Sequence, residues 1–213
     1  RAVQDLLARR PGDGESIPVA GVGVGITGVV DTAKGTWRYS PHYRVEDLPV
    51  REILEKRLGL PVWIENDARA MAWGERSFGC ARGVDNLAFI RVGVSIGAGI
   101  IINGQLYGGA HHGAGEIGHT IVAERGPRCR CGSDGCLETV GSALAIARRA
   151  VERMADGEET VIRRLCGDDP SQVIATTVIQ AADAGDRVAR EILAEAGRYL
   201  GLGIGSMINL LNP

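Results

Sequence analysis

The chain has 213 residues, 24 basic against 26 acidic residues and a formal net charge of -2. Hydrophobic residues make up 45% of it, which is typical of a globular protein and excludes disorder, and its 31 glycines are about twice the ordinary share. The balanced charge lacks the concentrated basic face of a nucleic-acid surface, and the longest apolar stretch, residues 87–102, is broken by an arginine and by glycines, which excludes a membrane span.

The apolar periodicity predicts strands that precede and alternate with helices, so the fold class is α/β. The first part of the chain is predicted to hold a helix over 2–9, a buried strand over 18–27, turns over 28–31 and at Lys34-Gly35, and a strand with Trp37 and Tyr39 on alternate positions. Next come a helix over 48–58 ended by Gly59, a strand over 60–65, and a helix that begins at Asn66 or Asp67 and ends at Gly79. The rest is predicted to hold paired strands over 86–92 and 95–102, a hairpin turn at Asn103-Gly104, and helices over 142–154, 171–184 and 187–211. Gly201, Gly203 and Gly205 predict close packing of the last helix on a sheet.

A cysteine cluster carries the most specific pattern in the chain. His119, Cys129, Cys131 and Cys136 have the spacing His-x9-Cys-x-Cys-x4-Cys, a ligand set for tetrahedral structural zinc. Glycines between the last two cysteines, at 132 and 135, allow the backbone to bend sharply around one ion. The alternatives are chance clustering of buried thiols or a disulfide. With an odd cysteine count and no secretory signal, a reducing, cytoplasmic compartment is expected, and Cys80 and Cys166 are expected to be small core residues.

Glu65-Asn66-Asp67 lies between a predicted strand and a predicted helix. The carboxyl end of a strand in an open α/β sheet is where ligands bind. Asn66 offers a donor and an acceptor and Asp67 a carboxylate, so the two can bind vicinal hydroxyls, and Asp67 could accept a hydroxyl proton during group transfer. The alternative is an ordinary helix N-cap.

Two glutamates flank the cysteine cluster. A zinc ion would tie His119 to the cysteine loop and so bring Glu116 and Glu138 together, an arrangement suited to a polyhydroxyl ligand. The alternative is that both are solvated. His111 and His112 are expected to be surface loop residues. The glycine-rich loop over 93–99 could approach phosphate through its backbone amides, although glycine is also common at a hairpin bend.

These segments together resemble the ROK family, which groups bacterial sugar kinases with sugar-sensing transcriptional repressors. The matching stretches cover nearly the whole chain and are residues 25–31, Glu65-Asn66-Asp67-Ala68, Gly97-Ala98-Gly99 with Asn103-Gly104, Glu116-Ile117-Gly118-His119, and residues 129–138.

The resemblance implies an actin-like, ribonuclease H-like ATPase fold with a sugar bound between two lobes. Residues 1–65 would be the remainder of a small N-terminal lobe, and 66–213 a larger C-terminal lobe with the zinc knuckle. By the same resemblance, the sugar contacts are Asn66, Asp67, Glu116, His119 and Glu138. In the family's kinases, the residue matching Asp67 takes the proton from the attacked hydroxyl. A homodimer or homotetramer is also implied.

Two departures from the kinase pattern matter, and the second favours a sensor. The family's N-terminal Asp-x-Gly-Gly-Thr run is absent, which a start upstream of Arg1 would explain, and the second phosphate loop, Gly-Thr-Gly-x-Gly in the kinases, has Val94 and Ser95 in place of threonine and glycine. The chain is therefore predicted to be the sugar-binding part of a transcriptional regulator whose DNA-binding domain lies upstream. The alternative is an ATP- and Mg-dependent sugar kinase of glucokinase type, with Asp67 as general base.

Overall fold

The chain alternates short strands with helices up to residue 106 and is helical after residue 137. The computed structural model describes residues 19–213, so the helix predicted over 2–9 and the start of the strand predicted at Pro18 lie outside the described residues. The strands are β1 (Val22–Ile26), β2 (Val29–Asp31), β3 (Thr36–Ser40), β4 (Val45–Leu48), β5 (Val62–Asn66), β6 (Leu87–Val92), β7 (Ile96–Ile102) and β8 (Gln105–Leu106). The helices are α1 (Val50–Leu58), α2 (Asp67–Phe78), α3 (Leu137–Gly141), α4 (Ala143–Ala155), α5 (Val161–Leu165), α6 (Ala175–Asp183) and α7 (Arg187–Leu211), with 3-10 turns at Ile117–His119 and Pro170–Gln172.

The strands form three small sheets. β1 and β5 pair in parallel, with Ile26 opposite Asn66, so both strands end at the same level. β2, β3 and β4 form an antiparallel sheet, and β6, β7 and β8 form another. The parallel pair therefore brings the end of β1 and the start of α2 to one edge, where ligands bind in α/β folds.

Most predicted elements are present, and the largest error is at residues 28–31. The turn there is limited to Thr27 and Gly28, whose φ of 88° requires glycine, and Val29–Asp31 is strand β2. The prediction was wrong because Val30 is fully buried between β3 and β5, a packing that the short local pattern does not reveal. Strand β4 and helices α3 and α5 were also not predicted.

Helix α7 packs closely at one of its three glycines. A Cβ at Gly203 would lie 2.6 Å from Cδ2 of Leu137, the first residue of α3, whereas Gly201 and Gly205 have nothing within 4 Å of that position. At Gly203 the close neighbour is therefore a helix and not a sheet, whereas Met207 of the same helix lies in a core cluster with Ile96 and Ala98 of β7. Leu137 is fully buried, in a cluster with Ile96. Within residues 19–213, no helix combines the length and apolar character that a membrane crossing needs.

Candidate functional site

A cavity of about 740 Å³ opens at the edge where β5 meets α2. Four of the five predicted sugar contacts line it, namely Asp67, Glu116, His119 and Glu138. The fifth, Asn66, is not among its lining residues and is only 7% exposed. The structure thus brings together carboxylates that are far apart in the sequence.

Asn66 and Asp67 are neighbours with different environments. The side-chain oxygen of Asn66 accepts a hydrogen bond from the backbone N–H of Arg69 at 3.1 Å, and its amide nitrogen donates to the carbonyl of Gly28 at 2.9 Å. The cap interpretation therefore holds for Asn66, which ties α2 to the turn after β1. Asp67 instead faces the cavity, with its Oδ2 at 3.4 Å from a guanidinium nitrogen of Arg91.

The segment that carries Glu116 and His119 lies unusually close to β7. The backbone N–H of Ala98 donates to the carbonyl of Gly115 at 2.7 Å, and a Cβ on Gly115, whose φ is 91°, would overlap the Ala98 carbonyl oxygen. Gly118 approaches the carbonyl of Ile96 in the same way. These glycines let the 3-10 turn seat both side chains against the sheet.

Glu116 has a raised pKa. Burial is the main cause of the raised pKa of Glu116. The negative charges of Asp67 and Glu138 add to the rise, whereas His119 and Arg69 oppose it. A carboxyl group that holds its proton more readily can donate to a ligand oxygen as well as accept from a hydroxyl.

Glu138 is fixed to the start of β7. Its Oε2 accepts a hydrogen bond from the backbone N–H of Ile96 at 3.2 Å. The preceding residue, Leu137, is fully buried and donates its N–H to the carbonyl of Thr120 at 2.8 Å. This anchoring leaves the other carboxylate oxygen of Glu138 free for the cavity.

The predicted metal ligands converge. The ligand atoms of His119, Cys129, Cys131 and Cys136 all lie within 4.8 Å of one another. His119 Nδ1 is 3.6 Å from Cys129 Sγ, and the sulfurs of Cys131 and Cys136 are also 3.6 Å apart. Tetrahedral Zn–S and Zn–N bonds give edges of about 3.5–3.8 Å, whereas a disulfide needs about 2.05 Å. The residues therefore fit a zinc ion, and all five cysteines are free thiols.

Backbone and charge in this cluster agree with a bound cation. Gly132 and Gly135, the predicted bend positions, have φ of 100° and 71°. Burial raises the pKa of Cys136, with hydrogen bonds from the other two thiols, to about 12. Burial also acts on Cys131, but hydrogen bonds, that from Ser133 foremost, lower its pKa to about 6. Ionising all three thiols at once costs free energy unless a cation neutralises their charge.

A bound zinc ion would supply a rigid tie between the cysteine loop and His119. Nδ1 of His119 faces the cysteines, so a metal held there would leave the proton on Nε2, which lies 3.9 Å from Glu116 Oε2. The imidazole would then present a fixed donor beside the carboxylates.

The glycine-rich loop is a tight hairpin bend between β6 and β7. The N–H of Gly93 donates to the carbonyl of Ser95 at 3.0 Å, and Val94 is 56% exposed on the cavity wall. The valine presents no hydroxyl where a phosphate-binding loop would offer one. The hairpin interpretation is thus correct, and the loop lines the cavity with Val94 and with Ser95.

Sequence reasoning missed several polar residues near the cavity. Arg91, a single charge in an apolar strand, was a usable signal. His112 lies in a loop, as predicted, and is part-exposed, but it also has partners: its Nε2 is 3.6 Å from Asp31 Oδ1, and its carbonyl accepts a hydrogen bond from the buried Arg69 at 3.2 Å. Arg69 also pairs with Glu65, and so links β5 to the segment before Glu116.

Comparisons with known proteins agree with this geometry. The profile of the ROK family matches residues 1–213. The chain is 33% identical to a xylose repressor of Caldicellulosiruptor bescii over 100% of the chain and 53% of that protein, and 38% identical to a glucokinase of Halalkalibacterium halodurans over 91% of the chain and 58% of that protein. The crystal structure of a ROK family glucokinase from Streptomyces griseus, in complex with glucose and AMPPNP, superposes with a TM-score of 0.87 at 35% identity, covering 99% of this chain and 68% of that one.

These likenesses give the chain the α/β fold of the actin-like ATPases. The chain spans little more than half the length of the two curated relatives. Since repressors and glucokinases are both among its relatives, the comparisons alone do not separate a sensor from an enzyme.

Proposed function

The chain belongs to the ROK family, and we propose that it is the sugar-binding, effector-sensing portion of a ROK-family transcriptional regulator. The observation that carries the proposal is the β6–β7 turn, in which Val94 and Ser95 stand where phosphoryl transfer needs a hydroxyl and an unobstructed backbone. The carboxylates that suit a sugar line the cavity, while the phosphate-binding features of a kinase are weakened.

The sugar contacts we propose are Asp67, Glu116, His119 and Glu138, whereas Asn66 has a different role. Carboxylates and an imidazole N–H match the hydroxyls of a pyranose as acceptors and donors. Asn66 has one amide hydrogen left beyond its bond to the Gly28 carbonyl, and holds the start of α2 in place. Its main contribution is therefore to position Asp67.

The wider assembly follows from the same proposal. Residues 1–65 belong to a small lobe and 66–213 to a larger one, with structural zinc held by His119, Cys129, Cys131 and Cys136. Sugar binding shifts an equilibrium between two arrangements of the chain and so alters the DNA affinity of a domain upstream of it. The protein acts in the cytoplasm as a homodimer or homotetramer.

One observation supports a second candidate function, an ATP- and Mg-dependent sugar kinase. Asp67 lies in the cavity, where a general base would be. Its Oδ2 lies 3.4 Å from a guanidinium nitrogen of Arg91, so that oxygen is engaged in an ion pair rather than free to accept a hydroxyl proton. The glucokinase relatives support this candidate as much as the repressors support the first.

Calorimetry and a coupled ATP assay on the full-length protein test the proposal. With glucose, xylose and N-acetylglucosamine, we expect binding of at least one sugar and no ATP turnover above background. Asp67→Asn should weaken that binding about tenfold or more, because a charged acceptor is lost. Asp183→Asn, an exposed carboxylate at the end of α6, is the matched control. Robust turnover that Asp67→Asn abolishes would establish the kinase instead.

A further inference from the structure

The cavity extends well beyond the four inner residues. Its volume of about 740 Å³ is within the range of about 300–1,000 Å³ for sites that hold drug-sized ligands, and one hexose would fill only part of it. The remaining wall includes an aromatic group from the β3–β4 hairpin and two arginines of the cysteine loop. These residues are Tyr39, His42, Tyr43, Arg128 and Arg130.

We propose that these residues form an outer sugar subsite, so that the chain takes a disaccharide or longer glycan in preference to a free monosaccharide. The inference rests on the proposed function, because the inner residues must hold the first sugar unit.

The aromatic wall suits a pyranose ring. Tyr39 and Tyr43 are 49% and 59% exposed, and both line the cavity, so part of each ring is accessible to a ligand. The ring of Tyr43 is held by two neighbours, since its centroid lies 5.6 Å from that of Trp37 and 4.8 Å from that of His42. Rigid, amphipathic rings bury apolar C–H surface at little entropic cost, which is how a sugar face is held.

The opposite wall supplies hydrogen-bond donors. Arg128 and Arg130 flank Cys129, and Arg128 pairs with Asp134 at 3.3 Å. Arg130 also lines the cavity and contacts Nδ1 of His42. Within residues 19–213, no carboxylate lies within ion-pair distance of Arg130, so its other N–H groups are free to donate to hydroxyls.

The outer residues continue directly from the inner ones. Gly28, which accepts from Asn66, is followed by Val29, and Val29 pairs with Tyr39 in register. On the other wall, Cys129, between the two arginines, contacts His119. A second sugar unit linked to the first would therefore lie beside the tyrosines and Arg130, which His42 joins to one another.

The charged side chains of the cavity nearly balance, which suits a neutral glycan. Three carboxyl groups, those of Asp67, Glu116 and Glu138, line it together with four arginines, at 91, 128, 130 and 148. The bend at Val94 offers no threonine hydroxyl to a nucleotide. Neutral hydroxyls satisfy both the acceptors inside and the donors outside.

Calorimetry on the full-length protein with three monomers and their dimers tests the outer subsite. The probes are glucose, xylose and N-acetylglucosamine against cellobiose, maltose, xylobiose and diacetylchitobiose. We expect at least one dimer to bind about tenfold more tightly than its monomer. Tyr43→Ala should remove about tenfold of the dimer's affinity and change that of the monomer by less than about twofold, and Tyr43→Phe should restore the dimer's affinity because the ring remains.

Tyr107→Ala is the matched control, since Tyr107 is 48% exposed and outside the cavity lining. If no dimer binds more tightly than its monomer, or if Tyr43→Ala weakens both equally, the outer subsite is wrong while monomer binding leaves the proposed function standing. If no sugar binds at all, both fail.

Discussion

Asp186 joins two helices through both of its carboxylate oxygens, which makes its removal a sharp test of the packing. It is 8% exposed, its Oδ1 accepts from the N–H of Ala189 at 2.7 Å as the N-cap of α7, and its Oδ2 accepts from the N–H of Val161 at 2.6 Å. Asp186→Ala removes a cap, about 1 kcal/mol, and leaves a buried N–H without an acceptor, about 1–3 kcal/mol. The expected loss is about 2–4 kcal/mol, or about 10 °C in Tm.

Urea and thermal unfolding at pH 7 measure this loss. Asp186→Asn keeps one side-chain oxygen, so it should lose about half as much as the alanine variant. Asp183→Ala, an exposed position at the end of α6, is the control and should stay within about 0.5 kcal/mol of the wild type.

The same contacts predict a pH dependence. Burial would raise the pKa of Asp186, but backbone hydrogen bonds, those from Ala189 and Val161 foremost, outweigh it and hold the pKa below its usual range. The folded state therefore binds its proton less readily than the unfolded state, whose value is about 3.9. The stability gap between wild type and Asp186→Ala should be constant from pH 7 to about 5 and narrow as the pH falls below about 4. A gap that stays constant down to pH 3, or a loss under about 0.5 kcal/mol at pH 7, refutes the reasoning.

Two further predictions concern the functional site. Elemental analysis of protein purified without chelator should give one zinc per chain. Cys131→Ser should lower both the zinc content and the sugar affinity, because His119 loses its anchor. An unchanged sugar affinity in calorimetry would disprove the coupling between the metal site and sugar binding. Gly115→Ala should lower the free energy of unfolding in urea by about 3 kcal/mol or more, because a Cβ would overlap the Ala98 carbonyl at a positive φ. The control Gly113→Ala, whose Cβ would have nothing within 4 Å, should stay within about 0.5 kcal/mol of the wild type. Equal losses in the two variants would contradict the close approach of Gly115 to β7.

The metal cluster was predictable because its information is local. Three cysteines within eight residues define the ligand set by spacing, and only His119 comes from outside that loop. The long helix α7 was likewise predictable from its apolar period, with Asp186 as its cap. In both cases, neighbouring residues determine the structure.

The interior of the cavity depends on contacts that spacing does not encode. The pairing of Arg91 with Asp67 joins two elements, and the contact of His42 with Arg130 joins segments 88 residues apart. The sequence pattern assigned Asn66 and Asp67 the same role, whereas in the structure the side chain of Asn66 bonds to the backbone of Gly28 and Arg69 and that of Asp67 faces the cavity. Such assignments follow from the direction of each side chain after the sheets have paired.

The close packing of the Glu116 segment on β7 limits which residues near the cavity can be varied. Gly115 and Gly118 face carbonyl oxygens of β7 with no room for a side chain, so variation there would lose the fold before it altered ligand choice. Exposed hairpin positions such as Tyr43 have no such restriction. A library aimed at new ligands should therefore randomise the hairpin and leave the glycines fixed, and natural divergence within the family should have followed the same route.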